Sequence, residues 1–192
     1  AIGAGLARRD QFAHLAAGGE LDPEVADADP RTSWRDDRLG TSAWKGGFTG
    51  YPVIDAAMRQ LRDTGWMPGP ARRLTARFLV DALGVDWRIG EQHFRHLLVD
   101  GDVAQNLGNR TAVAAGSSAP DVEAEGRRLD PSGAYVQRWV PELAGLDGAL
   151  VHAPWAAAPD ALGGITLGAD YPDRVPTPGR VGSDDGAPAA VS

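Results

Sequence analysis

The sequence contains no cysteine, and this absence excludes disulfide-stapled folds, thiolate zinc sites, iron–sulfur clusters and cysteine nucleophiles. Long apolar runs are also missing, because no stretch approaches the roughly 20 residues that a membrane-spanning helix needs. The N-terminus lacks the basic segment followed by an apolar segment that marks a secretory signal. We therefore expect a soluble, cytoplasmic protein without membrane association.

An overall positive charge is missing as well. The net charge is −7, which argues against extensive contact with nucleic-acid phosphates. The distribution is uneven, since residues 31–100 hold 11 basic and 8 acidic side chains, whereas residues 117–192 hold 5 and 11. The middle of the chain therefore allows weak, salt-sensitive contact with DNA, and we interpret the acidic C-terminal part as solubilising.

Helical periodicity is the strongest signal that is present. Between Pro52 and Gly65, apolar residues recur at the spacing of one helix face, proline suits the first turn and glycine suits a left-handed stop. The same reasoning predicts helices over about 6–17, 52–64, 71–82, 86–99, the start of 102–115, and 133–143, with loops over 18–37 and 117–126. No stretch shows the alternation of a strand, so the predicted fold is all-α.

One compact domain is expected from 192 residues with 43% hydrophobic content. We place this domain at residues 1–175, and the Pro, Gly, Asp and Ser content of residues 176–192 predicts a disordered tail. Within the domain, residues 52–116 should form the helical core, with Trp66 and Trp87 largely buried.

Three stretches are more specific than generic helices: WKGGFTGYPVIDAAMRQLRDTGWM, DWRIGEQHFRHLLVDGDVAQNLGN and LDPSGAYVQRWVPEL. Together they resemble the FAD-binding helical domain of the DNA photolyase/cryptochrome family, and the resemblance covers roughly residues 6–172. It implies a compact helical fold around a U-shaped FAD. In that family, reduced and photoexcited FAD gives an electron to a pyrimidine dimer flipped out of DNA.

The resemblance also implies a set of cofactor-binding residues. Arg72 would pair with Asp100 beside the isoalloxazine, Asp102 would accept from its polar edge, Asn106 would face N5, and Gly101 lies in the same segment. An anionic reduced flavin needs a fixed cation and hydrogen-bond partners. We therefore expect the Arg72 guanidinium within about 6 Å of one of the two carboxylates. On spacing alone, these charges also fit helix ends on a solvated face.

Tryptophans form the second implied group. Trp34 and Trp87 match the outer and middle members of the family's electron-transfer chain of three indoles. The flavin-proximal position is Arg110, which cannot be oxidised to a relay radical. The two indoles are thus electron-transfer remnants, and ordinary core packing is the competing interpretation.

The sequence departs from the family where the DNA lesion would bind. Arg8-Arg9-Asp10 and Pro68-Gly69-Pro70 replace the family's Trp-Arg-acidic and His-Asn-Arg motifs, and Ala112 replaces an indole. The upstream phosphate-cradling loop is missing, so a partner chain supplying the N-terminal half of the flavin site is expected.

Three functions remain in consideration. The first is a diverged FAD-binding domain without repair activity of its own, the second is a non-catalytic helical scaffold that has abandoned flavin, and the third is a photolyase completed by a partner chain. No metal site is expected, because His93 and His96 lack a third ligand at suitable spacing.

Overall fold

The computed structural model describes residues 34–99 and 119–178. The predicted helices over 6–17 and 102–115 and the tail from residue 179 lie outside these ranges. Six α-helices are present in the described parts: α1 Arg38–Gly46, α2 Pro52–Thr64, α3 Gly69–Arg77, α4 Trp87–Leu97, α5 Val122–Leu129 and α6 Ala134–Trp139. A π-helical turn, Phe78–Ala82, continues α3, and short 3₁₀ turns occur at Pro141–Leu143, Pro154–Ala156 and Pro159–Leu162.

Helix α2 is the centre of the domain, and it contacts α1, α3, α5 and α6. Its predicted bounds are confirmed, with Pro52 in the first turn and Gly65 at a φ of 67° as the left-handed C-cap. The helix is buried from Pro52 through Leu61. A helix covered on several sides by neighbours is held mainly by packing, not by its intrinsic propensity.

The predicted helix over 71–82 is two elements in the structure. Helix α3 ends at Arg77, and the backbone N–H of Leu83 then donates to the Phe78 carbonyl, five residues earlier, at 3.0 Å. Gly84 follows with a φ of 71°, a left-handed conformation that glycine adopts without steric cost. The apolar stripe located the helical segment but carried no sign of this change of hydrogen-bond register.

Helix α4 begins as predicted, since the Asp86 carboxylate accepts from the Arg88 N–H at 2.9 Å and caps the first turn. Trp87 is partly buried. The predicted burial of Trp66 is wrong, because its side chain is 48% exposed. Met67 takes the buried position after the Gly65 turn, which leaves the neighbouring indole on the surface.

Two helices lie where the sequence pattern indicated none. Helix α1 begins directly after the predicted loop over 18–37, with Asp37 accepting from the Gly40 N–H at 2.8 Å. The predicted loop over 117–126 is wrong in its second half, because α5 starts at Val122. Capping by Asp121 and two ion pairs between successive turns stabilise this polar helix; the pairs are Glu123–Arg127 and Glu125–Arg128.

The C-terminal part of the described chain closes over the start of α2. The Val175 N–H donates to the Thr49 carbonyl at 2.9 Å, and Arg174 lies over the Trp155 ring at 4.6 Å. Within residues 34–99 and 119–178, strand-like pairing is limited to one isolated bridge between Leu167 and Tyr171. The all-α prediction is thus confirmed.

A buried carboxylate stands at the N-terminus of α2. Asp55 accepts from the Thr49 N–H and hydroxyl at 2.7 and 2.6 Å, from the Gly50 N–H at 3.0 Å and from the Tyr171 hydroxyl at 2.6 Å. Burial raises the pKa of Asp55, while the hydrogen bonds and the charge of Arg59 oppose that rise. Because all four partners donate, the arrangement is built for the ionised carboxylate.

A second buried ionic group joins α2 to the chain after α6. Arg59 donates through Nη1 to both Glu142 oxygens at 2.9 and 2.8 Å and through Nε to the Gly47 carbonyl at 2.9 Å. Its guanidinium also lies over the Phe48 ring at 4.9 Å. The pair links segments 83 residues apart in the sequence.

No helix in the described ranges is both long enough and apolar enough to traverse a bilayer.

His93 on α4 makes folding stability depend on pH. Its ring lies 5.4 Å from the Trp44 ring, and burial, followed by the charges of Lys45 and His96, lowers its pKa from 6.5 to about 4. The unfolded chain therefore takes up this proton first, and stability present above pH 6.5 is lost as the pH falls toward 4. Allowing for solvent screening of a partly exposed group, we expect a loss of about 1–2 kcal/mol.

Urea denaturation at pH 7.5 and pH 5 measures this effect in the wild type and in His93→Phe. The variant should lose about 1–2 kcal/mol less than the wild type between the two pH values. His96→Gln, at an exposed position one turn further along α4, is the matched control and should keep most of the wild-type pH dependence, because burial is the largest cause of the lowered pKa of His93 and the charge of His96 is the smallest. Equal pH dependence of the wild type and His93→Phe would show that His93 is not the titrating group.

Candidate functional site

Arg72 is the implied flavin residue that the structure describes, and it is buried, with 3% of its surface exposed. It lies in the first turns of α3, where its backbone N–H donates to the Pro68 carbonyl at 2.9 Å. The guanidinium Nη2 donates to the Met67 carbonyl at 3.4 Å, a long hydrogen bond. This burial excludes a solvated helix-end charge, and the role of Arg72 toward a flavin stays a prediction.

The end of α4 reaches the same corner of the domain. The Val99 N–H donates to the Gly65 carbonyl at 3.0 Å, and Gly65 precedes Met67 by two residues. Asp100 follows Val99 directly in the sequence. Asp100, Gly101, Asp102 and Asn106 lie outside the described residues, so their pairing with Arg72 stays a prediction.

Trp34 and Trp87 both lie beside the turn that leads into α4. The N–H of Arg35, the residue after Trp34, donates to the Gly84 carbonyl at 2.9 Å. Trp87 is the first residue of α4, and the Arg88 guanidinium lies 4.8 Å from its ring centroid. Both indoles are partly buried. Their role as electron-transfer remnants stays a prediction, as does the effect of Arg110, which lies outside the described residues.

The first two residues of α3 have small or no side chains. Pro68 caps the helix, and Gly69 and Pro70 are exposed. A Cβ built on Gly69 would have no atom within 4 Å, so glycine is not required there by crowding. Arg8, Arg9, Asp10 and Ala112, the other departures from the family pattern, lie outside the described ranges.

Sequence reasoning missed one contact at this site. The Trp44 indole N–H donates to the Thr75 carbonyl on α3 at 3.0 Å, and both residues are buried. The two residues are 31 apart in the sequence, and no local spacing rule pairs an indole with a helical carbonyl. The WKGGF stretch marked Trp44 as part of a motif without indicating its partner.

Among the residues that the structure describes, no three His, Asp or Glu side chains gather as metal ligands would.

Comparison with known proteins decides the family. Residues 4–177 match the family described as the FAD binding domain of DNA photolyase. The chain belongs to the DNA photolyase/cryptochrome family. It is 46% identical over 178 residues to the deoxyribodipyrimidine photo-lyase of Streptomyces griseus, covering 88% of this chain and 38% of that protein. It is 40% identical over 147 residues to cryptochrome DASH of Synechocystis, covering 72% and 30%.

A solved photolyase structure agrees with the fold. The class III photolyase of Agrobacterium tumefaciens superposes with a TM-score of 0.76 at 39% identity, covering 86% of this chain and 37% of that chain. The photolyase/cryptochrome chain described here therefore spans less than two fifths of these three relatives. The expected fold and family are confirmed.

FAD is the cofactor of this photolyase/cryptochrome domain, and the described residues fit it. The buried Arg72 side chain supplies a permanent cation with N–H donors in a fixed plane. Donors of this kind are chemically suited to carboxylates and to the polar edge of a reduced, anionic flavin.

Proposed function

We propose that this chain is a flavin-binding module that binds FAD but does not carry out light-driven DNA repair by itself. One observation carries the proposal: the buried guanidinium of Arg72 lies in the same corner of the domain as the end of α4. Asp100 follows Val99 there in the sequence. That position is suited to a cation facing the flavin ring.

The chain's own residues would hold and tune the cofactor. Arg72 would donate to the polar edge of the ring and favour its anionic reduced form, since an opposite charge at close range stabilises the ionised state. Asp100, Asp102 and Asn106 would add acceptors and an amide, as the family resemblance implies. Bound FAD would supply the light absorption and one-electron chemistry. Further polypeptide that contacts the phosphates, in this chain or in a partner, would tighten this binding.

The proposed lack of repair follows from the residues at the positions where the DNA lesion would bind. Flipping a lesion out of DNA costs a few kcal/mol, and aromatic stacking, worth roughly 1–3 kcal/mol per base, usually offsets this cost. Ala112 stands where the family has an indole, and Pro68-Gly69-Pro70 leaves an exposed surface over the start of α3. Basic residues can attract DNA weakly but do not hold one base pair open.

The test compares FAD binding by the wild type, Arg72→Met and Arg73→Met. Arg72→Met keeps the length of the buried side chain but removes its charge and donors, so FAD affinity should fall about 10- to 100-fold. Arg73 is the exposed neighbour on the same helix, and Arg73→Met should leave affinity within about twofold. Flavin absorbance and fluorescence quenching report binding, and circular dichroism checks the fold.

Each alternative function has its own outcome. If the wild type does not bind FAD at micromolar protein, the scaffold function is favoured and the proposal fails. If both arginine variants weaken binding equally, Arg72 is not the residue that faces the flavin. The FAD-loaded, reduced wild type is also illuminated with dimer-containing oligonucleotide, and we expect no recovery of base absorbance. FAD-dependent recovery would establish a repair enzyme.

A further inference from the structure

Trp44 connects two helices through a single polar atom. It lies on α1 with no exposed surface, its ring contacts the Phe94 ring edge-on at 5.5 Å, and its indole N–H donates to the Thr75 carbonyl at 3.0 Å. Indole has one donor and no acceptor. The bond to Thr75 therefore uses the whole hydrogen-bonding capacity of this buried side chain.

The Thr75 carbonyl is an unusual acceptor because it lies where α3 changes register. In a regular α-helix each carbonyl accepts from the N–H four residues later. Here the Phe78 N–H is shared between the carbonyls of Leu74 and Thr75, and the next turn is π-helical. The indole N–H thus donates to a carbonyl at the point where the hydrogen-bond pattern of the helix changes. π-helical turns of this kind are frequent at functional sites.

Arg72 lies one turn before Thr75 on the same face of α3. The Thr75 hydroxyl contacts the carbonyls of Ala71 and Arg72, both at 3.0 Å. Helix α3 has only nine residues and no side-chain cap at its N-terminus. Its position depends on packing against α2 and α5 and on contacts such as the indole bond at its far end, and the guanidinium moves with the helix that carries it.

We propose that Trp44 is a positioning residue for Arg72. Its indole N–H, acting through the Thr75 carbonyl, sets the register of α3 and thereby the place of the buried guanidinium. The inference rests on the proposed function in one respect, namely that FAD is the group to which the Arg72 guanidinium donates.

The first test needs no cofactor. Trp44→Phe keeps an aromatic ring and removes the N–H, and Trp139→Phe on α6 is the matched control. In ¹⁵N NMR spectra of the cofactor-free protein, solvent exchange of the Arg72 Nε–H should become roughly tenfold faster in Trp44→Phe and stay unchanged in the control. If Trp44→Phe does not fold, benzothienylalanine at position 44 keeps the size of indole and lacks the N–H. Unchanged exchange in a folded variant would overturn the proposal.

The second test measures FAD affinity in a double-mutant cycle. Trp44→Phe should weaken binding about 2- to 10-fold when Arg72 is present, in line with the net worth of one hydrogen bond. In the Arg72→Met background the same change should have no further effect. Equal weakening in both backgrounds would contradict the proposal, since Trp44 would then act without Arg72. If the wild type binds no FAD, the proposed function fails, while the cofactor-free NMR measurement still decides the role of Trp44.

Discussion

Replacing Asp55 with asparagine is expected to destabilise the domain by about 3–5 kcal/mol. The carboxylate accepts four hydrogen bonds, two on each oxygen, from Thr49, Gly50 and Tyr171. Asparagine keeps one accepting oxygen and places an NH₂ group against donors on the other side. Each buried donor left without an acceptor costs about 1–3 kcal/mol, and a typical domain has only about 5–15 kcal/mol of stability.

Urea denaturation followed by circular dichroism measures this loss. Asp63→Asn is the matched control, because the residue lies in the same helix with 52% of its side chain exposed, and it should change stability little. Tyr171→Phe removes one of the four donors and should cost about 1–2 kcal/mol. A midpoint for Asp55→Asn equal to that of Asp63→Asn would show that the network does not stabilise the fold.

The second large effect is expected for Glu142→Ala, at about 2–3 kcal/mol. The change leaves the Arg59 guanidinium, whose side chain is 7% exposed, without its carboxylate partner. Partial burial alone would raise the pKa of Glu142, but the hydrogen bond and charge of Arg59 outweigh it and hold the pKa below its ordinary value. The stabilisation by the Arg59–Glu142 pair is therefore complete above the ordinary pKa of a glutamate. It is lost as the pH falls through the lowered pKa of Glu142.

A double-mutant cycle with Arg59→Met separates the pair from the effects of each side chain. We expect a coupling of about 1.5–3 kcal/mol at pH 7 and a smaller value in acid. The exposed Glu125–Arg128 pair is a stringent control, since its 2.6 Å contact is shorter than the 2.8 Å of Arg59–Glu142. Glu125→Ala should cost no more than about 0.5 kcal/mol, the usual contribution of an exposed ion pair within one helix. Similar losses in Glu125→Ala and Glu142→Ala would mean that distance, and not burial, decides the energy.

Local signals predicted the elements whose energetics are local. Helix α2 was predicted at both ends, because Pro52 and Gly65 favour their positions through backbone conformation alone. The start of α4 was predicted from another local effect, since the Asp86 carboxylate accepts from the Arg88 N–H. Helix α5 was missed because its stability comes from a cap and ion pairs on a polar surface, which resemble a loop in composition.

Tertiary contacts decided the features that periodicity could not predict. The change from α3 to a π-helical turn leaves the spacing of apolar residues almost unaltered. Trp66 is exposed because Met67 fills the buried position beside it, and hydrophobicity alone does not rank these two neighbours. Contacts such as Tyr171 to Asp55 join residues 116 apart, beyond the reach of any local rule.

Of the candidate site, the described residues bear on Arg72. Motif resemblance indicated Arg72, and its burial rules out a surface charge, while its role toward a flavin stays a prediction. Charge spacing alone did not make that distinction, because exposed and buried arginines follow the same helical pattern. The indole bond from Trp44 to Thr75 could not be predicted, since it depends on how α1 crosses α3.

The hydrogen bond from Tyr171 to Asp55 also bears on how the chain folds during synthesis. The N-terminal carboxylate of the central helix gains its last donor only when residues near the end of the described chain have been made. Contacts between residues so far apart in sequence slow folding, because the intervening loop must be closed first. A nascent chain in which α1 to α4 have been made but Tyr171 has not leaves Asp55 with three of its four donors. Fully cooperative folding of the domain therefore waits until translation has passed Tyr171.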